Sequence, residues 1–261
     1  MYKFSKKEDD ISIVLCGAAG QGIQTVEQFL IQLFKIPSYN LFATKEYMSR
    51  IRGGSNSTEL RVSSNKINAF VDRIDILVPL NVESLKHIEK RISAETIIIG
   101  EKDKFQKDRN TAKYQIVDVP FSDIAKKIGG TIFTNIIIVG ILAALFEIER
   151  KDIDDLIRKT FQEKGEKVIE KNIAAINEGY EIGTQLLSKE IIRIELNKNS
   201  EATKEIIING GQAVGLGAIA GGCNFISSYP MTPSTPVLTF LAQQSKSLDI
   251  ILNKLKMKLQ R

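Results

Sequence analysis

Ile11-Ser-Ile-Val-Leu-Cys-Gly-Ala-Ala-Gly-Gln-Gly-Ile-Gln-Thr-Val-Glu-Gln-Phe-Leu-Ile-Gln-Leu-Phe34 decides how the first part of this chain folds. Ile11 to Leu15 is a short apolar run, and Cys16 to Gly22 is a glycine-rich turn. Ile23, Val26, Phe29, Leu30 and Leu33 then recur at helical spacing as far as Pro37. The pattern is strand, glycine turn, helix. Such a turn brings backbone N–H groups close to an anion at a helix N-terminus, so Gly20 and Gly22 are candidate anion contacts. The same glycines are equally accounted for by a tight turn with close helix–strand packing. Their spacing, Gly17-x-x-Gly20-x-Gly22, is not the dinucleotide fingerprint, and no acidic residue ends the next strand at Thr44-Lys45.

Working outward, strands are expected at 40–44, 59–63, 74–79, 96–100 and 115–119. Helical periodicity covers 82–92, 121–128, 135–147, 153–163 and 168–178. Strands alternating with helices of this length predict an α/β layer structure with a mostly parallel sheet. The polar stretch 188–204 lacks core periodicity and is expected to link 1–187 to a second unit, 205–261. That unit opens with an extended segment at 205–209 and a small-residue helix at 210–222. A strand at 225–228 and a helix at 237–244 follow.

Two further motifs carry chemistry. In Lys45-Glu-Tyr-Met-Ser-Arg-Ile-Arg-Gly-Gly-Ser-Asn56, Arg50 and Arg52 could neutralise a phosphate or carboxylate, joined by backbone donors at Gly53 and Gly54. A solvated basic loop explains the same residues. In Tyr229-Pro-Met-Thr-Pro-Ser-Thr-Pro236 the prolines stiffen a loop that presents Thr232 and Ser234 before a helix. That makes a seat for a carboxylate; Thr235 as a plain N-cap needs no ligand.

Composition narrows the remaining classes. Of 261 residues, 43% are hydrophobic and 26% charged, with a net charge of +5 spread along the chain. No basic stripe with interleaved aromatics points to nucleic acid. The charged start, Met1 to Asp10, has no apolar signal core. The apolar run 136–146 is shorter than the about 20 residues a bilayer needs, so no membrane span and a cytoplasmic address are expected. Cys16, Cys223 and His87 are the only cysteines and histidine. They cannot ligate an iron–sulfur cluster or a zinc ion between them, and His87 is expected on a solvated helix face.

Together these segments resemble the 2-oxoacid:ferredoxin oxidoreductases, in the branch handling 2-oxoglutarate and similar acids. Gly17 to Gly22, Glu46 to Gly54, Asn135 to Leu145, Phe161 to Gly165 and Asn172 to Tyr180 look like the family's γ domain. Asn209 to Ala213, Gly215 to Ala220 and Tyr229 to Ser234 look like the start of its catalytic α domain, with Met231 where isoleucine is usual. The resemblance implies a γ-type α/β domain followed by the opening of a thiamine-pyrimidine-binding α/β domain. It also implies coenzyme A-dependent oxidative decarboxylation of a 2-oxoacid to acyl-CoA and carbon dioxide, with electrons passed to ferredoxin. Thiamine diphosphate would be shared with a β subunit that carries the iron–sulfur cluster. Tyr229, Thr232 and Ser234 would contact substrate or coenzyme A, Arg50 and Arg52 with the γ-domain glycines would add an anion contact, and no catalytic residue would lie in this chain.

The tail departs from the family, which should continue through Val-Glu-Gln-Ala-Glu-Asp-Glu-Ile-Ala-Ala-Ile-Asn and far beyond. One acidic residue there would face the thiamine aminopyrimidine. Encoded with suitable third bases and read one nucleotide late, that stretch yields Leu252 to Arg261 and then a stop. The tail is thus expected to be out of frame and the chain to be C-terminally truncated and inactive alone. A basic amphipathic terminus is the plain alternative, and a non-catalytic coenzyme A-binding or assembly module is the rival function.

Overall fold

The computed structural model describes residues 3–18, 23–46, 55–106, 113–229, 231–245 and 251–254. They fall into two compact units, Met1–Glu205 and Ile206–Arg261.

The first unit runs β1 (Phe4–Lys7), β2 (Asp10–Ala18), α1 (Ile23–Lys35), β3 (Asn40–Glu46), β4 (Ser55–Ser63), β5 (Ile76–Pro79), α2 (Val82–His87), β6 (Ile97–Gly100) and α3 (Lys102–Gln106). It continues with β7 (Ile116–Asp118), α4 (Phe121–Ile128), α5 (Thr134–Leu145), α6 (Arg150–Phe161), α7 (Glu166–Ser188) and β8 (Ile192–Glu195). Six strands form one sheet in the order β3-β4-β2-β5-β6-β7. β2, β5, β6 and β7 are parallel neighbours, while β4 runs antiparallel to β2 and β3. The period of two along β2 sends Ile11, Ile13 and Leu15 to one face and Val14 and Cys16 to the other. Both faces are covered. Helices α1, α5 and α6 pack on the first; Leu85 of α2 and Phe105 of α3 pack on the second. A central strand buried on both faces must be apolar throughout, as β2 nearly is.

Helix α5 is apolar all round because α7 packs against it where the sheet does not. No single helix among the described residues is long and apolar enough to cross a membrane.

The stretch 188–204, expected as a linker, is folded onto the first unit instead. Within it, β8 pairs in parallel with β1, and Ile192 is fully buried. The Asn199 amide donates to the Ser64 carbonyl at 2.8 Å, and Lys35 donates to the carbonyl of Ala202. Pairing of β8 with β1 and the inward-facing Ile192 and Ile194 hold this segment, and the alternation is too short to stand out in a polar stretch. Residues 205–209, expected extended, form no strand.

The N-terminal edge of the sheet carries an ion network. Buried Asp75 accepts from the Ser12 N–H at 2.8 Å and from Arg73 Nε at 3.1 Å, with Lys6 Nζ at 3.2 Å. Arg61 and Arg73 both bind Asp10. Burial pushes the Asp10 carboxyl up, but bonds and charge from Arg73 and Arg61 together outweigh it and hold it below its ordinary value.

The second unit is smaller: α8 (Gly210–Ala220), β9 (Phe225–Ser228), α9 (Thr235–Gln244) and β10 (Ile251–Lys254), with β9 and β10 parallel. Its α8 is closed at the start by a reciprocal capping box, Asn209 Oδ1 accepting from Gln212 N and Gln212 Oε1 from Asn209 N, each at 2.9 Å. Gly215 of α8 lies against the Phe240 ring of α9, at a distance that leaves no room for a β-carbon.

Candidate functional site

Because β4 is antiparallel to both neighbours, β3 runs in the same direction as β2, β5, β6 and β7. All five therefore end on one edge of the sheet, where open α/β sheets bind ligands. The glycine turn leaves from Ala18, and Ala18 pairs with Ser55, where the basic motif returns to the sheet. That motif leaves β3 at Lys45 and Glu46, which pair with Thr58 and Ser57. The two sequence motifs thus spring from adjacent strands at one edge. Gly20, Gly22, Arg50, Arg52, Gly53 and Gly54 themselves lie outside the described residues.

A cleft of about 470 Å³ opens on the C-terminal side of the same sheet, lined in part by Pro79, Glu101, Lys104, Ser122, Thr134 and Asn135. The Glu101 carboxylate sits on the N-terminus of α4. It accepts from the Ser122 N–H at 2.9 Å and the Ser122 hydroxyl at 3.0 Å, and pairs with Lys104. A larger cleft of about 640 Å³ lies among Tyr39, Glu147, Glu190 and Arg193, where α5 and α7 end. It holds none of the residues singled out in the sequence, and size alone does not make it the site.

Sequence reasoning passed over Glu27. Its side chain is 4% exposed on α1, and the Lys45 ammonium lies 2.7 Å from its Oε2. The available signal was a carboxylate set between Val26 and Phe29 on an apolar helix face. His87 stands at the outer end of α2, as expected, yet its Nε2 lies 3.4 Å from Glu46 Oε2 at the end of β3. Cys16 lies in the buried part of β2, and burial pushes its thiol far above the usual range, which disfavours a thiolate nucleophile.

In the second unit the loop after β9 is exposed. Thr232 joins Pro233 through a cis peptide bond, and its hydroxyl has no hydrogen-bond partner among the described residues. Tyr229 keeps 38% exposure. The Ser234 hydroxyl lies 2.7 Å from the Met231 carbonyl and 2.9 Å from that of Tyr229, so its single proton is donated inside the loop. Ser234 rather than Thr235 occupies the N-cap of α9, with no side-chain cap bond. Among the described residues, the N–H groups of Thr235 and Val237 in the first turn of α9 have no side-chain cap, and Pro236 between them has no N–H.

An aminopyrimidine in this unit would need a carboxylate opposite its ring nitrogen. None of the unit's described residues is acidic, so the residues present fit a substrate carboxylate better than a complete thiamine site, and no step is assigned to thiamine here. Among the described residues, no group of three or more His, Cys, Asp or Glu is arranged to hold a metal ion.

The sheet order, with β2, β3, β5, β6 and β7 all ending on one edge, defines an open-sheet α/β protein. Within that class the chain belongs to the pyruvate ferredoxin/flavodoxin oxidoreductase family, which its residues 12–182 match. It is 24% identical over 270 residues to a 2-oxoacid:ferredoxin oxidoreductase subunit alpha of Sulfolobus sp, an alignment covering 86% of this chain and 41% of that subunit. It is 22% identical over 185 residues to the 2-oxoglutarate synthase subunit KorC of Archaeoglobus fulgidus, covering 70% of this chain and 93% of KorC. Among solved structures, 2-oxoglutarate:ferredoxin oxidoreductase from Magnetococcus marinus, with 2-oxoglutarate, coenzyme A and succinyl-CoA bound, aligns with a TM-score of 0.84 at 25% identity. That match covers 96% of this chain and 44% of the other. The chain spans less than half the length of the Sulfolobus subunit and of the Magnetococcus marinus chain.

Proposed function

We propose that this chain serves as an α-type subunit of a 2-oxoacid:ferredoxin oxidoreductase, with a γ-like domain followed by the opening of a pyrimidine-binding domain. The observation that carries this is the match over 96% of the chain, both compact units included, to an oxidoreductase solved with 2-oxoglutarate and coenzyme A. The reaction converts a 2-oxoacid and coenzyme A to acyl-CoA and carbon dioxide, releasing two electrons for ferredoxin and one proton. Thiamine diphosphate, held mainly by a β subunit with an iron–sulfur cluster, supplies the carbanion chemistry when bound. This chain's residues bind and orient. The Thr232 hydroxyl, the uncapped N–H groups of α9 and nearby Tyr229 would hold a substrate carboxylate or part of coenzyme A. Ser234 keeps that loop in shape. At the sheet edge of the first unit, Gly20, Gly22, Arg50, Arg52, Gly53 and Gly54 would meet a phosphate of coenzyme A or a subunit.

The test is anaerobic assay of the chain alone, of its β partner alone and of the two together, with 2-oxoglutarate or pyruvate, coenzyme A, thiamine diphosphate and a viologen acceptor. The chain alone should release no carbon dioxide. Decarboxylation by the lone chain, or association with a nicotinamide cofactor in place of coenzyme A, would overturn the assignment.

A second function is favoured by the match to nearly the whole of KorC: the first unit acts as a free-standing assembly or coenzyme A-binding module. Coenzyme A binding without decarboxylation when β is present would select it.

A further inference from the structure

The loop that joins β4 to β5, residues 64–75, contains no helix or strand, and its tip reads Ile67-Asn-Ala-Phe-Val71. Loops of about 12 residues without regular structure are uncommon in a compact domain. Phe70 is 57% exposed, the most exposed aromatic side chain among the first unit's described residues, and Ala69 beside it is exposed too. Ile67, Ala69, Phe70 and Val71 belong to neither of the hydrophobic clusters that form the core. One exposed apolar side chain is ordinary. Here, however, the backbone on both sides of Phe70 is braced. Arg61 Nη1 donates to the Ala69 carbonyl at 3.0 Å, and Arg91 donates to the carbonyls of Val71 at 3.3 Å and Asp72 at 2.8 Å. Both guanidinium groups are anchored in turn, Arg61 on Asp10 and Arg91 on the two carboxylate oxygens of buried Glu59. A loop already held in shape gives up little conformational entropy on docking.

Because β4 is antiparallel to β2, this loop lies at the edge where Ser63 pairs with Asp10 and β5 begins, opposite the C-terminal edge. A body seated on the tip leaves the C-terminal edge open. The charges around the tip are already paired: Asp72 with Arg91, Arg73 with Asp10 and Asp75, and Lys66 with Glu205. The tip therefore offers apolar shape, and its complement is an uncharged apolar socket. A convex tip supplies no such socket to its own copy across a two-fold axis. Both clefts of the first unit carry charged groups, Glu101 and Lys104 in one and Glu147, Glu190 and Arg193 in the other. The socket therefore belongs to a different polypeptide.

We propose that residues 67–71 are a docking knob that seats Phe70 in an apolar socket on the β partner. The inference rests on the subunit role proposed above. The test mixes the full chain with the thiamine diphosphate-carrying partner, both purified anaerobically, and measures affinity beside melting temperature. Phe70→Ala should weaken the affinity by at least about tenfold and Phe70→Leu by less, with both melting temperatures unchanged. Ile132→Ser, at the first unit's other strongly exposed apolar position, should leave the affinity as it was. Amide exchange in 67–72 should slow in the complex. Wild-type affinity in Phe70→Ala, a lowered melting temperature in that variant, an equal loss in Ile132→Ser, or unchanged exchange in 67–72 would overturn the knob. Self-association of the lone chain that Phe70→Ala abolishes would assign the tip to a second copy and overturn it as well. A wild-type chain that binds no thiamine diphosphate-carrying partner would overturn the subunit role itself, and the docking site with it.

Discussion

Gly179 of α7 approaches Ile137 of α5 so closely that a β-carbon on the glycine would stand 2.0 Å from the Ile137 carbonyl oxygen. Gly140 of α5 returns the contact, its β-carbon position 2.3 Å from the Ile176 carbonyl. The two helices therefore touch backbone to backbone, and this contact seats α5 between α7 and the sheet that carries the site.

Gly179→Ala should destabilise the first unit by about 3 kcal/mol, the upper part of the range for overpacking, since the obstacle is backbone that cannot rotate away. The gain of about 1 kcal/mol in helix propensity is not enough to offset it. Urea unfolding checks the sign; a midpoint at or above wild type would show that α5 and α7 can separate at little cost.

The first unit should end at Glu205 rather than before β8. A fragment of residues 1–205 is expected to melt cooperatively, because β8 completes the pairing of β1 and Ile192 fills the core. Ending the chain at Ser188 should cost about 2–5 kcal/mol, the scale of deleting one large buried aliphatic side chain. Equal melting temperatures for the two fragments would return 188–204 to the status of a linker.

Acid should weaken the first unit through Asp10. Arg73 and Arg61 depress its folded-state pKa, so its contribution is complete above the unfolded value of about 4 and is lost as pH falls through the lower folded value. Asp10→Asn should flatten the stability profile in that window while leaving Arg61 and Arg73 less well anchored at neutral pH. A mutant with an unchanged acid slope would remove Asp10 from the account.

Thr232 and Ser234 should separate binding from stability. Thr232→Ala deletes an exposed hydroxyl with no partner among the described residues and should shift stability by no more than about 0.5 kcal/mol. In a frame-corrected, full-length subunit assembled with its β partner, it should reduce kcat/KM about ten- to a hundred-fold, the worth of one hydrogen bond to a charged carboxylate. Ser234→Ala deletes a bond inside the loop and should cost about 1 kcal/mol of stability. Melting curves beside steady-state kinetics decide it, and the opposite pattern would make Thr232 the structural hydroxyl.

Much of this architecture was legible because apolar periodicity reports burial. The run from Ile11 to Leu15, the spacing from Val26 to Leu33 and the apolar α5 each name their element directly. β1 and β8 were not legible, since each is short and charged, and Phe4, Ile192 and Ile194 meet the core only where the two strands pair. Residue spacing likewise cannot show that Lys45 meets Glu27, because that contact depends on β3 lying beside α1. Spacing equally could not show the register that brings Ala18 beside Ser55, which depends on β4 returning antiparallel to β2. Thr232 and Ser234 looked alike in sequence; only the loop's hydrogen bonds distinguish them.

The most direct test of the central claim is anaerobic affinity purification of this chain from its native cells, with thiamine diphosphate, iron and sulfide measured in whatever co-purifies. The account predicts a stoichiometric partner subunit that carries thiamine diphosphate and an iron–sulfur cluster. A chain that emerges alone, or beside a partner without thiamine diphosphate, would contradict it.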